Sequence, residues 1–134
     1  MCALIEMALF STAENKKDEC LAKTLQSLSD TVDFTKHRLM LSVNAFTYET
    51  ITLLNKHANI IDNIFTNETN IGTANAINIC WQHRKKGEHA VKMDDDVVIN
   101  NPGWLDELEW AIHKDPLIGQ IGLKRKDCWE TTTH

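Results

Sequence analysis

The residues with the clearest chemical potential are Val91-Lys92-Met93-Asp94-Asp95-Asp96-Val97, where three adjacent carboxylates close an apolar run. Like charges this close repel, and the arrangement is tolerable when a cation compensates them. A hard divalent ion is the natural partner for carboxylate oxygens. If the chain is extended here, alternate residues share a side, so Asp94 and Asp96 face one ligand while Asp95 points elsewhere. An arbitrary D-x-D is more often a solvated acidic turn. The flanking residues reverse that reading: an apolar strand precedes the acids and Asn101-Pro102-Gly103-Trp104 opens a helix after them, so the acids sit at a strand end. An EF-hand would need acids spread over about a dozen residues with a central glycine and a closing glutamate. Asp94 to Leu105 does not supply them.

The elements that must position these acids read as alternating strands and helices. Ala3 to Phe10 is apolar except for Glu6, which suits a strand with both faces covered. Asn15 is placed to cap a helix with Asp18 and Glu19 in its first turn and Leu21, Leu25 and Leu28 on one face. Leu39 to Val43 predicts a second strand, and Ile51, Leu54 and Ala58 keep helical spacing after Thr47. Ile60 to Phe65 predicts a third strand. Asn67 to Gly72 breaks the pattern before Ala74, Ile77 and Trp81 resume at helical spacing. Ala90 to Met93 is a short fourth strand. Asn101 and Pro102 start a helix whose stripe is Trp104, Leu105, Leu108, Ala111 and Ile112, and Asp115-Pro116 stops it. Ile118 to Leu123 predicts a fifth strand. This order implies βαβ units, an α/β fold and a mostly parallel sheet that binds ligands at its carboxyl edge.

Composition bounds the rest. The 134 residues are 43% apolar and 25% charged, enough for one core and one domain over 1–134. A formal charge of -5 argues against nucleic acid, and Arg84-Lys85-Lys86 reads as a solvated helix end. No apolar run approaches the length needed to cross a bilayer, and Met1 to Phe10 lacks the features of a signal peptide, so a cytoplasmic protein without a transmembrane segment is expected. Cys2, Cys20, Cys80 and Cys128 form no C-x-x-C pair and read as reduced, mostly buried residues. His37, His57, His83, His89 and His113 fall near element ends and read as solvated. Trp104 and Trp81 read as packing residues, whereas Trp110 and Trp129 read as surface contacts.

Lys92-Met93-Asp94-Asp95-Asp96 followed by Gly103-Trp104-Leu105 resembles the D-x-D segment of family 2 glycosyltransferases, which have the GT-A fold. Asn70-Ile71-Gly72-Thr73-Ala74-Asn75-Ala76-Ile77-Asn78 is similar to that family's N-x-G-x(5)-N segment, and Thr24-Leu25-Gln26-Ser27-Leu28 to its opening helix. Each piece alone is weak, but their order and spacing cover nearly the whole chain. The resemblance implies a GT-A-type Rossmann-like sandwich, C-terminally incomplete, that binds a nucleotide-diphosphate sugar. It implies that Asp94 meets the ribose or metal and that Asp96 holds Mn²⁺ or Mg²⁺. Ser11, Thr12 and Asn15 would lie beside the base, with Asn44, Asn70, Gly72, Asn78 and Asp95 also bordering the nucleotide. Asn44 matches one residue of the family's D-N-x-S-x-D turn, but Val43 and Tyr48 replace the flanking acids. Phe46 or Tyr48 could stack on a base, though either is more often packing.

The resemblance also implies an acceptor-binding half carrying the catalytic base of inverting members. Asp127 and Glu130 lie in no recognisable base motif, so the base is not found in this chain and the acceptor is unknown. Uncovered sheet edges favour self-association into a homo-oligomer. Two other readings remain: a catalytically inactive module that binds nucleotide and metal, and a nucleotidyltransferase. The second normally opens with a glycine-rich basic loop, and Ser11 to Lys17 contains no glycine.

Overall fold

The computed structural model of the chain describes residues 2–123. Cys128, Trp129, Asp127 and Glu130 lie outside the described residues. The chain divides into two compact units, Met1–Pro102 and Gly103–His134.

The first unit contains β1 (Ala3–Phe10), α1 (Asp18–Thr31), β2 (Arg38–Ala45), α2 (Tyr48–Lys56), a 3₁₀ turn (Ala58–Ile60), β3 (Asn63–Thr66), α3 (Thr73–Trp81) and β4 (His89–Met93). The four strands form one sheet in the order β3-β2-β1-β4, and every pair is parallel. The chain therefore steps outward from β1 to β3 and crosses back to place β4 on the other side of β1. This reversal puts a topological switch point between the carboxyl ends of β1 and β4, the usual ligand crevice of such sheets.

Burial follows from that topology. Parallel strands need crossover helices, and right-handed crossovers place α1 and α2 on one face and the returning α3 on the other. Accordingly Leu4 of β1, Met40 of β2 and Cys80 of α3 form one buried cluster, against which Phe65 packs. Strand alternation turns Ile5, Met7, Leu9, Leu39, Leu41 and Val43 to the opposite face, and all are buried. Glu6 shares the Leu4 face and is only 1% exposed, an ionisable group within an otherwise apolar strand. On α1, Leu21, Leu25 and Leu28 are buried as the spacing predicts.

Several boundaries differ from the sequence reading. The third strand is Asn63–Thr66, because Ala58–Ile60 closes a 3₁₀ turn after α2. Asn15 does not cap α1: the cap position is Lys17 and has no side-chain bond, since Asn15 is engaged in the preceding loop. Asn101 does not cap the later helix either, as Pro102 and Gly103 form a turn and Gly103 takes the cap position. Thr47 does cap α2, in a reciprocal capping box with Thr50.

The second unit contains α4 (Trp104–His113). Trp104 and Leu105 are buried, and Leu108, Ala111 and Ile112 half-buried, so the stripe is correct. Residues 118–123 do not form the expected strand. Gly119 and Gly122 weaken an extended ladder there, and no described strand pairs with them.

Candidate functional site

A cleft of about 390 Å³ opens at the carboxyl edge of the sheet. It is lined by the end of β1 (Ala8, Leu9, Phe10), by Asn15 and Lys17, by Asn44, by Asn70, Gly72 and Thr73, and by Asp94, Asp95 and Asp96. Seven of the residues singled out in the sequence thus converge from four separate segments. Three do not border it. Ser11 is buried, with its N–H donated to Ala45 O at 3.0 Å. Thr12 Oγ1 accepts Asn15 N at 3.1 Å within the loop, and Asn78 lies on the exposed side of α3.

The loop after β1 is held by Asn15. Its Oδ1 accepts the N–H of Thr12 at 2.9 Å and of Lys17 at 3.2 Å, and its Nδ2 donates to Phe10 O at 2.8 Å. These bonds enforce a tight bend in which Lys16 takes φ 51°, a left-handed conformation uncommon outside glycine. The bend fixes the backbone of Lys17 at the mouth of the cleft. Nearby, Asp18 accepts the hydroxyls of Thr47 and Thr50, both at 2.6 Å, and so ties the start of α1 to the start of α2. Burial opposes ionisation of Asp18, but the hydroxyls of Thr47, Thr50 and Ser11 outweigh it and hold the carboxyl below its ordinary range.

Asn44 is a bracket. Its Oδ1 accepts from Asn67 Nδ2 at 3.0 Å and from Ile71 N at 3.4 Å, while its Nδ2 donates to Gly72 O at 3.4 Å. The carboxamide therefore fastens residues 67–72 to β2, and Asn67 also reaches Ser42 Oγ at 3.1 Å. Asn70 Oδ1 accepts Gly72 N at 2.9 Å. Gly72 has φ 83°, and a Cβ there would meet nothing within 4 Å, so backbone conformation rather than space requires glycine. The result aims the N-terminal end of α3, with its unshared N–H groups, at the cleft.

The acids occupy a turn. β4 ends at Met93, and Asp95 and Asp96 are turn residues, so period-two alternation does not sort them and all three border the cleft. Two buried polar side chains of α1 fix this turn. Thr24 Oγ1 lies 3.1 Å from Asp95 O, and Ser27 Oγ accepts Ile99 N at 3.1 Å. Burial raises the Asp95 carboxyl, against the attraction of Lys17 and with the repulsion of Asp96 and Asp94. The compensating cations are ammonium groups: Lys17 Nζ stands 2.9 Å from Asp96 Oδ2 and Lys92 Nζ 2.9 Å from Asp94 Oδ1.

What this donor set can take follows from its chemistry. Among the described residues no group of three or more His, Cys, Asp or Glu side chains surrounds one point. An all-protein metal cage is thus not the pattern here. Small hard divalent ions are commonly held by one or two carboxylates and complete their shell with phosphate oxygens and water. Asp94 and Asp96 suit that mode, with the lysine ammoniums marking where a cation is electrostatically favoured.

The remaining expectations sort by burial. His37 and His57 are buried rather than solvated; His37 Nδ1 accepts Ala3 N at 3.1 Å, and burial, then Lys56, lowers the His57 pKa. Trp81 does not pack inside: it is 47% exposed, with the Arg84 guanidinium 5.4 Å over its ring. Trp110 is exposed as expected. Phe46 and Tyr48 are exposed and thus are not packing residues, but neither borders the cleft. The cysteines are not mostly buried as expected: among the described residues Cys2 and Cys20 are exposed and Cys80 is buried. No described helix is long and apolar enough to cross a membrane. Lys17, Thr73 and Phe10 are cleft residues to which no motif gives a role: Thr73 is an unspecified position inside the N-x-G-x(5)-N segment, and Phe10 and Lys17 flank the loop after β1.

No protein-family model and no curated protein matches the chain. Solved structures do. The chain is similar to TarS of S. aureus, residues 1–349, with a TM-score of 0.69 at 19% identity over 85% of this chain and 33% of that one. It is likewise similar to the same protein in complex with UDP-GlcNAc (TM-score 0.68, 19% identity, 85% and 32% covered) and with UDP (0.68, 19%, 84% and 33%). The chain spans about a third of the length of these structures and shares their α/β fold over that span.

Proposed function

We propose that this chain is the donor-binding part of a glycosyltransferase of the GT-A type, similar to family 2, which holds a nucleotide-diphosphate sugar in the cleft at the carboxyl edge of the sheet. The observation that carries this reading is the convergence of Asn15, Asn44, Asn70, Gly72 and Asp94–Asp96 on one cleft at the switch point between β1 and β4. Its support from outside the chain is the shared fold with TarS, which has been solved with UDP-GlcNAc and with UDP.

Each wall of the cleft has a task in this reading. The bend clamped by Asn15 and the end of β1 offer backbone groups and the half-exposed ring of Phe10 to the nucleoside. The bracket of Asn44 and Asn67 holds the N-terminal end of α3 toward the diphosphate, where helix N–H groups and dipole favour an anion. Asp94 and Asp96 would hold Mn²⁺ or Mg²⁺, whose chemistry there would be neutralisation of the charge on a departing diphosphate. Asp95, half-buried and held at its carbonyl by Thr24, sets the spacing of its two neighbours. The acceptor and its activating base belong to the whole transferase rather than to this cleft.

Calorimetric titration of the chain with UDP-GlcNAc and UDP tests the reading. Binding of both, with uridine markedly weaker, is the expected result. Binding of neither would remove the nucleotide-sugar assignment. Release of UDP from bound UDP-GlcNAc, followed with and without candidate acceptors, then separates a transferring domain from one that only binds.

A further inference from the structure

We infer that Lys17 is an exchangeable counter-ion of the cleft: its ammonium neutralises Asp96 while the cleft is empty of cations, and it transfers to the donor's diphosphate when a divalent ion takes its place on Asp96. The inference rests on the nucleotide-sugar reading and names a residue for which neither motif provides a role.

Three observations carry it. First, Lys17 and Asp96 are 79 residues apart, yet Nζ meets Oδ2 at 2.9 Å within the same cleft that holds Asn70, Gly72 and Asp94. Second, the two ends of the lysine are constrained differently. Its N–H is held by Asn15 Oδ1 at 3.2 Å at the cap position of α1, whereas its side chain is 36% exposed and that of Asp96 42%. The backbone is anchored while the ammonium can swing through a few ångströms of solvent. Third, the pair is weak enough to exchange, since exposed ion pairs are worth little and are screened by water. Lys92 stands similarly on Asp94 but the pair is more exposed, 54% and 59%, and the hydrogen bond described for its side chain is to Asp94, its near neighbour in sequence.

The physical consequence is a competition followed by a gain. A divalent ion approaching Asp96 must displace Lys17, so metal alone binds against the ammonium. A diphosphate arriving with the metal brings oxygens that accept the displaced ammonium in a charge-assisted bond. Metal and diphosphate should therefore bind with positive coupling, and Lys17 should be its source.

The test uses Lys17→Met, which keeps most of the stem and removes the charge, in the full chain, with Lys23→Met on the exposed side of α1 as control. Mn²⁺ alone is titrated by electron paramagnetic resonance, then UDP and uridine by calorimetry at saturating Mn²⁺. The expected result is Mn²⁺ binding alone about two- to five-fold tighter in Lys17→Met, with UDP about ten-fold weaker and uridine unchanged. Lys23→Met should match the parent in all three, and Lys17→Arg should retain most of the UDP affinity. Unchanged or weaker binding of Mn²⁺ alone in Lys17→Met would overturn the exchange while leaving metal-dependent UDP binding by the parent intact. If the parent bound UDP with no need for Mn²⁺, both the exchange and the metal reading would fall, and the two failures are thereby distinguished.

Discussion

Thr24 Oγ1 of α1 lies 3.1 Å from the carbonyl oxygen of Asp95, so the middle of the acidic turn is fastened to a helix rather than left in solvent. Thr24 is fully buried, and Ser27, one helical turn further along α1, holds Ile99 N, four residues after Asp95. Thr24→Val keeps the shape and removes the hydroxyl. Loss of this bond should cost about 1–2 kcal/mol in stability. The looser turn should weaken Mn²⁺-dependent UDP binding about three- to ten-fold. Denaturant midpoints and calorimetry on the same variant measure the two effects, and unaltered UDP affinity would show that the turn is held by other means.

Glu6 makes the stability pH-dependent in a defined direction. One of its carboxyl oxygens is buried without a hydrogen-bond partner among the described residues. Burial raises its pKa from 4.5 to about 7, with Arg84 opposing and Glu88 reinforcing the rise. The folded chain thus holds a proton on Glu6 that the unfolded chain has released between these two values. Stability should fall as pH rises from about 4.5 to about 7 and then level off, a loss on the order of 3 kcal/mol. Glu6→Gln should flatten that segment of the profile and be more stable than the parent at pH 8. A parent and a Glu6→Gln profile that run parallel would contradict a buried, proton-linked Glu6.

Arg38 and Glu88 brace the opposite edge of the sheet. Arg38 donates to Glu88 through Nε at 2.8 Å and Nη2 at 2.6 Å, and through Nη1 to Asp62 at 3.0 Å, linking the amino ends of β2, β3 and β4. The side chains of Arg38 and Glu88 are 16% and 6% exposed, so removing one leaves the other poorly solvated. Arg38→Ala should cost about 2–4 kcal/mol. Because the brace lies at the end of the strands away from the cleft, UDP affinity should change by less than about two-fold where the variant is folded. A large loss of affinity in the folded variant would mean that the two edges are coupled.

The sequence made the strands and the cleft's residue types legible for physical reasons. Ala3 to Phe10 and Leu39 to Val43 are near-continuous apolar runs, which only a doubly covered parallel strand accommodates, and Leu21, Leu25 and Leu28 repeat at helical spacing. The acids after Met93 stand out in the sequence because adjacent like charges demand a reason, whereas Gly72 is marked there only by the N-x-G segment and shows its physical reason, a positive φ, in the structure. What was not legible depends on pairs distant in sequence. Lys17 meets Asp96 across 79 residues and Asn44 meets Asn67 across 23, and no local pattern marks either pair. Asn15 before Asp18 has the look of a helix cap, yet its side chain closes the preceding bend instead, since both uses need the same short carboxamide. Ile118 to Leu123 has strand-like composition, but a strand needs a neighbour, which composition does not reveal.

The central claim is that Asp94 and Asp96 bind a nucleoside diphosphate through a divalent ion. Calorimetric titration with UDP in Mn²⁺ and in EDTA, repeated on Asp96→Asn, measures it most directly. Asp96 is exposed and its described ion pair is with Lys17 alone, so Asp96→Asn should keep the parent's denaturant midpoint to within about 0.5 kcal/mol. Leu25→Ala, by contrast, removes a fully buried side chain and should cost about 2–5 kcal/mol, which calibrates the midpoints. The account predicts UDP affinity at least ten-fold higher in Mn²⁺ than in EDTA for the parent, and a folded Asp96→Asn in which that difference is lost. Equal affinity in Mn²⁺ and EDTA for the parent would contradict it.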